Sequence, residues 1–460
     1  MSDPNDHALE TLAQRAIEAA RAAGATHADA VVEDSRSLNV KVHEGRIDTL
    51  RRSATHGLGL RVIVDDAVGV VSTNDFDPEA LAALARHAVA LARLATPDPA
   101  NVMPTIDEAE AGILDPGDAA GRLGTYDPAI LAEPAERVIE RALALERIAR
   151  GADARITRCD HAGVTLGDGA WVLANTHGVL RRERGTSISS GVVALADDGM
   201  RQQSGGYGVS SRSLAALPAA EAVAREAVAR AVARIGARGV PSARVPVVMH
   251  PDIAASWIGR VAGAFSGEQV MKRASWLSES LGQTIAAPLV TLVDDARLTG
   301  GLGTSLFDGE GVRTGTHRLI DRGVCARFVY DLYTARRVGG RSTGNASRSY
   351  TGAPGIGFHN LYVMAGETPP EKILASVERG FYMDDQGSFG FNPVTGDYSF
   401  QAQGFWIERG EKAFPVDGVT VASRSLDMLR GVTAVGTDLV FDGSTVSPTL
   451  LIAEMMLSGR

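Results

Sequence analysis

The sequence predicts an α+β protein: two small N-terminal units, each a helix, an antiparallel sheet and a helix, followed by a β-rich C-terminal domain. Apolar residues recur at helical spacing at the start and end of each of the first two units, and between them the pattern switches to strand-like alternation. Beyond residue 239 glycine becomes frequent and helical runs become short. A chain of 460 residues, 45% of them apolar, can bury two or three cores.

In the first unit, Leu9, Leu12, Ala16, Ile17 and Ala20 mark one face of a helix over residues 9–23, and Gly24 stops it. Strands are expected at 28–32, 38–42, 47–52, 58–64 and 68–73, an antiparallel meander punctuated by turns at Glu44-Gly45 and Asp65-Asp66. Asp77-Pro78-Glu79 supplies an N-cap, a proline at the first helical position and an early acid, so an alanine-rich helix follows to residue 95. The first domain is placed at residues 1–96. The Pro-, Asp- and Gly-rich stretch 96–120 reads as an irregular connection.

The second domain, residues 120–238, repeats the order with a helix at 134–149, strands at 154–159, 170–175, 187–195 and 202–209, and a helix at 219–235. An acidic turn, Asp197-Asp198-Gly199, matches Asp65-Asp66, but no residue-level repeat accompanies it. The third domain, residues 243–460, begins after Gly239-Val240-Pro241. Short strands are expected there at 245–249, 326–332 and 404–409, and helices at 253–263, 276–281, 370–377 and 425–430.

Composition narrows the function. A formal net charge of -9 supplies no basic field for phosphates, which argues against nucleic-acid binding. Residues 1–7 are polar and acidic where a signal peptide needs a basic start and an apolar run, and no later run is long enough for a bilayer. A cytoplasmic protein without membrane contact is expected. Cys159 and Cys325 are too few and too far apart for a disulfide framework or a thiolate zinc cluster, and both are expected to be reduced and buried.

Several residues invite a chemical reading. His43-Glu44 lacks a second histidine one turn on and reads as a hairpin turn. Asp294-Asp295 is a candidate acid/base pair, although neighbours on a strand face opposite ways, which favours a turn role. The loop Gly300 to Gly303 has no Lys-Ser/Thr for a phosphate and reads as a backbone-permissive loop near an interface. Arg181-Arg182-Glu183-Arg184 reads as a solvated face. His250, His317 and His359 could meet only through folding. Tyr398, Phe405 and Trp406 are candidates to line a peptide groove, with core packing the commoner role for glycine-flanked aromatics.

The C-terminal third contains Asn392-Pro393-Val394-Thr395-Gly396-Asp397-Tyr398-Ser399, then Gly404-Phe405-Trp406-Ile407-Glu408-Arg409-Gly410 and Pro415-Val416. Upstream stand Asp294-Asp295, Gly300-Gly301-Leu302-Gly303-Thr304-Ser305, Phe307-Asp308-Gly309-Glu310-Gly311 and Ser342-Thr343-Gly344-Asn345-Ala346, and near the end Val435-Gly436-Thr437-Asp438-Leu439. In this order and spacing they resemble the TldD/PmbA family, once described as modulators of DNA gyrase, over essentially the whole chain. The resemblance implies a choice between two branches. TldD-like members carry His-Glu-x-x-x-His on a helix and a cysteine near the C-terminus, and are metallopeptidases. Two histidines one turn apart hold zinc and the carboxylate serves as general base.

Here the matching positions are Ala255, Ser256 and Arg260, and no cysteine lies in the tail 441–447. Arginine stays protonated and cannot ligate zinc. The chain therefore resembles the PmbA branch, also called TldE. That implies no catalytic residue and no cofactor in this chain, with zinc expected in a TldD-like metallopeptidase subunit. The pair would act on unfolded or extended peptides, such as peptide antibiotic precursors and antitoxins, and a homodimer would be an option when the chain is alone. The alternative from another class is a free-standing regulatory or binding protein without a peptidase role.

Overall fold

A computed structural model describes residues 4–109, 122–197, 199, 201–387 and 390–459. The turn at Asp198 and part of the 96–120 connection lie outside the described residues. Strands β1 (His27–His43), β2 (Arg46–Val64) and β3 (Ala67–Thr73) carry the helices α1 (Pro4–Ala22) and α2 (Pro78–Leu94). Strands β4 (Ile156–Asn175), β5 (Leu180–Asp197) and β6 (Gln202–Ser211) carry the helices Ala135–Ala152 and Ala220–Ala233. The two sets join into one six-stranded antiparallel sheet of order β3-β2-β1-β4-β5-β6, with β1 paired to β4 from Asp29↔Asn175 to Val42↔Ala162.

The strands are fewer and longer than expected. Segments 28–32 and 38–42 are both parts of β1, 47–52 and 58–64 parts of β2, and 170–175 and all of 154–159 but its first two residues parts of β4. Serines and glycines such as Ser35, Ser37, Gly167 and Gly169 look like turn formers in sequence. In the folded chain ladder hydrogen bonds on both sides hold them extended.

One face of this sheet is covered by helices. Leu9, Ala16, Ile17 and Ala20 of α1 and Leu81, Ala85 and Ala88 of α2 pack on Ala30, Val32, Leu58 and Leu60. Val138, Leu145, Val223 and Ala227 pack on Val164, Leu166, Ile188 and Val192. Small alanines keep each helix close to the strands, so the apolar side chains are removed from water on both partners.

In the C-terminal part, β7 (Ala243–Met249) runs parallel to Arg379–Gln386, and the order continues through Asp397–Glu408, Glu411–Arg424 and Leu450–Ser458 back to β7. Five strands thus close a small barrel. Segment 326–332 is not a strand: Val324–Cys325 is a two-residue strand, and a connection leads on to the helix Leu332–Arg337. Segment 276–281 is a series of turns, because Ser275 Oγ accepts from the Leu277 N–H and donates to the Ala264 carbonyl, bonds that compete with a helix.

The C-terminal domain docks on the helix-free face of the sheet. Asp29, buried in β1, pairs with Arg61 of β2 and with Arg348, and Arg61 also pairs with Glu310 at 3.1 Å. The Tyr350 N–H donates to Glu33. Arg181-Arg182-Glu183-Arg184 is not a solvated face: Glu183 accepts from Ser305 Oγ at 2.6 Å and from the Leu306 N–H, and Arg181 donates to the Gly311 carbonyl. Alternation points these side chains at the docked domain, which pattern alone cannot distinguish from water.

Candidate functional site

The helix Pro251–Ala262 follows β7 directly. The His250 side chain caps it by accepting from the Asp252 N–H, and Pro251 stands at its first position, where a missing N–H costs nothing. Ile253, Ala254, Trp257, Ile258 and Val261 are buried, so the helix is held by one apolar stripe. Trp257 Nε1 donates to Ser425 Oγ, which satisfies the one polar atom of the stripe. The opposite side carries Ala255 and Ser256, both half-buried, and Arg260, which is exposed.

Two of those positions, Ser256 and Arg260, meet the barrel. Gln386 Nε2 donates to Ser256 Oγ at 2.6 Å, and the Tyr398 hydroxyl donates to Gln386 Oε1 at 2.8 Å. The Arg260 guanidinium lies over the Phe400 ring, 5.0 Å from its centre. Burial pushes the Tyr398 hydroxyl well above the usual phenol range, so it remains a donor. A metal does not fit this set. Ala255 brings no donor atom, Ser256 Oγ already accepts a hydrogen bond, and Arg260 is a fixed cation. Among the described residues no group of three or more His, Cys, Asp or Glu side chains is placed to hold a metal ion.

Beside the helix start, His250 packs edge-on to Tyr382, and the Lys412 ammonium sits 3.5 Å from the centre of the Tyr382 ring and 5.2 Å from that of Phe405. Burial lowers the His250 pKa, outweighing Asp252, and burial likewise lowers Lys412 against the pull of Asp384. Gln386, Phe400, Tyr382 and Lys412 escaped the sequence reading. Alternation was no guide to Gln386, because a bulge between Met383 and Asp385 shifts the register and turns it to the face opposite Tyr382.

Other candidates separate. Tyr398 and Trp406 are buried among the barrel's core residues, whereas Phe405, of opposite parity, is half-exposed, so the three share no surface. Asp294 is fully buried, accepting from Asn345 Nδ2 and the His359 N–H, while Asp295 accepts from Thr316 Oγ1 and the Arg297 N–H. His359 Nδ1 lies 3.4 Å from Asp294 Oδ2, and His317 is paired opposite Asp294 in the sheet and donates to the Thr343 carbonyl. His250 stands with a different group of residues. The Gly300 N–H bonds the Leu123 carbonyl and Arg212 donates to the Leu302 carbonyl, tying this loop to the second unit. Glu44 and Gly45 form the hairpin tip, both N–H groups donating to Glu146. Both cysteines are free and buried.

Comparison with known proteins decides the family. Sequence models described as PmbA/TldA metallopeptidase domain 1, central domain and C-terminal domain match residues 28–92, 128–235 and 242–459 in that order. The chain belongs to the PmbA/TldD metallopeptidase family. It is a PmbA-like member. The metalloprotease PmbA of Escherichia coli is 28% identical over 94% of this chain and 92% of its own length. A PmbA homolog of Haemophilus influenzae is 28% identical over 97% of this chain and 95% of its own length.

Solved structures share the fold. A putative modulator of DNA gyrase from Bacteroides thetaiotaomicron superposes with a TM-score of 0.89 at 23% identity, covering 98% of this chain and 99% of its own. TldE from Thermococcus kodakarensis gives 0.87 at 22% identity over 97% of this chain and 100% of its own. Among the described residues no helix is long and apolar enough to cross a membrane.

Proposed function

We propose that this chain is the metal-free accessory subunit of a two-chain cytoplasmic metallopeptidase, in which a TldD-like partner holds zinc and cleaves unfolded or extended peptides. The observation that carries the reading is the hydrogen-bonded chain Tyr398–Gln386–Ser256, with Arg260 on Phe400, on the helix where the resemblance sets Ala255 and Arg260 at the histidine positions and Ser256 at the glutamate position. These residues cannot activate water through a metal, but they stiffen the junction of helix and barrel. Ser256 and Arg260 leave an O–H and N–H donors for a main-chain carbonyl.

The test combines metal analysis and hydrolysis of an unfolded substrate, for the chain alone and mixed with a TldD-like subunit. The expected result is no metal and no cleavage alone, with full activity of the mixture depending on this chain. Stoichiometric zinc and cleavage by the chain alone would overturn the reading.

A further inference from the structure

The sheet face turned away from the helices carries two rows of small residues over its central strands, between larger side chains such as Lys41 and Trp171. Cross-strand register sets Gly163, Gly191 and Gly208 side by side on β4, β5 and β6, and Ser37, Gly167 and Ser187 side by side on β1, β4 and β5. A sheet face that merely meets water carries long polar or β-branched side chains. A glycine inside a strand weakens it and often marks a place where a ligand or another backbone comes close.

The same face shows what such glycines admit. At Gly57 and Gly59 of β2, an added Cβ would run into the ring and main chain of Tyr350, so the docked domain itself requires glycine there. At Gly163, Gly167, Gly169 and Gly191, every atom near an added Cβ belongs to a neighbouring strand of the same sheet. None of these four has a left-handed φ. At Gly167 and Gly169 neither this chain's packing nor its backbone geometry accounts for the glycine, whereas at Gly163 and Gly191 the main chain of the next strand would stand 3.0 and 3.1 Å from an added Cβ.

This bare face is the floor of two cavities. One, of about 550 Å³, is bounded by Arg212 and the Leu302–Ser305 loop; the other, of about 510 Å³, by Arg230, Asp252 and Asp442. Volumes of this size take a ligand of tens of atoms.

We propose that an extended polypeptide lies across this face, its main chain against the glycines and its polar groups served by the serine hydroxyls. Small hydroxyls and bare backbone discriminate little between side chains, which suits a sequence-tolerant guest. The role of that guest as a peptidase substrate rests on the accessory-subunit reading; its binding does not.

The experiment measures fluorescence anisotropy of a fluorescein-labelled, unstructured 15-residue peptide of mixed sequence with the full chain, beside thermal melting. At Gly169 a Cβ would meet only ordinary contacts, the nearest being Ser35 Cβ at 3.6 Å, and valine is the better strand residue. Gly169→Val is therefore expected to keep or raise the melting temperature while weakening the peptide tenfold or more. Gly167→Val, 3.3 Å from Ser187 Oγ, should act alike; if it fails to fold, Gly169→Val decides.

Unchanged affinity in a folded Gly169→Val protein would overturn the proposal. So would a wild-type chain that binds no peptide, including one that self-associates through this face. Failure to stimulate a zinc-bearing partner would sink the accessory reading alone, since the anisotropy needs no partner.

Discussion

The helix-free face of the sheet is used in two ways along its length. At one end it is docked: Asp29 and Arg61 form a buried network with Glu310 and Arg348, and Tyr350 lies on Gly57 and Gly59. Further along the strands, around Ser37, Gly167 and Ser187, it is open, and its glycines and serines meet cavities instead of a second layer. The small residues are alike in both halves. Neighbours brought from far along the chain make one half structural and leave the other available.

The sharpest test of the docked half is Arg61→Ala. It leaves Asp29 and Glu310 buried without their shared cation, and a loss of about 3–5 kcal/mol in chemical denaturation is expected. A loss under about 1 kcal/mol would mean that the domain reseats and water enters. On the helix-covered side of β5, Ile188→Ala should cost about 2–5 kcal/mol, against roughly 0.5 kcal/mol or less for its open-face neighbour Ser189→Ala. Equal costs would erase the contrast between the two faces.

The docked network also predicts a pH effect. Burial pushes the Glu310 carboxyl up to about 7, with Arg61 opposing and Asp308 adding to the rise. A carboxyl whose folded pKa is raised holds its proton more tightly when folded. Its contribution is complete below its ordinary 4.5 and is lost as pH climbs through 7. Glu310→Gln should therefore gain stability relative to wild type between about pH 5 and pH 8 in a series of melts. Parallel curves would show Glu310 charged and fully matched by Arg61 throughout.

The smallest effect concerns the helix Pro251–Ala262. Ser256→Ala removes one hydrogen bond from Gln386 and should cost about 0.5–1.5 kcal/mol, read by denaturation. No change would mean that Gln386 finds another acceptor.

Much of the fold was legible. The helices over 9–23, 77–95, 134–149 and 219–235 follow from periodicity and capping, because one apolar stripe facing a sheet leaves a plain 3.6-residue signature. The strands were blurred where they are barest: Ser35-Arg36-Ser37 and Gly167-Asp168-Gly169 read as breaks, since small residues signal turns unless neighbouring strands hold them. The helix bearing Ala255, Ser256 and Arg260 was legible as well. Its partners Gln386, Tyr398 and Phe400 lie well over a hundred residues away, and no local pattern links them.

By itself the sequence determined the α+β class, the helices, the membership of several motifs in one family, and the lack of metal-ligating side chains at 255, 256 and 260. Those features depend on residue identity and near-neighbour spacing. Tertiary structure alone decided the single six-stranded sheet, the closed barrel, the clasp made by Glu183, and which glycines are covered by Tyr350 and which stay bare. Each of these depends on long-range pairing, where contact free energy offsets the entropy of closing long loops, and that balance is not written in any short stretch of chain.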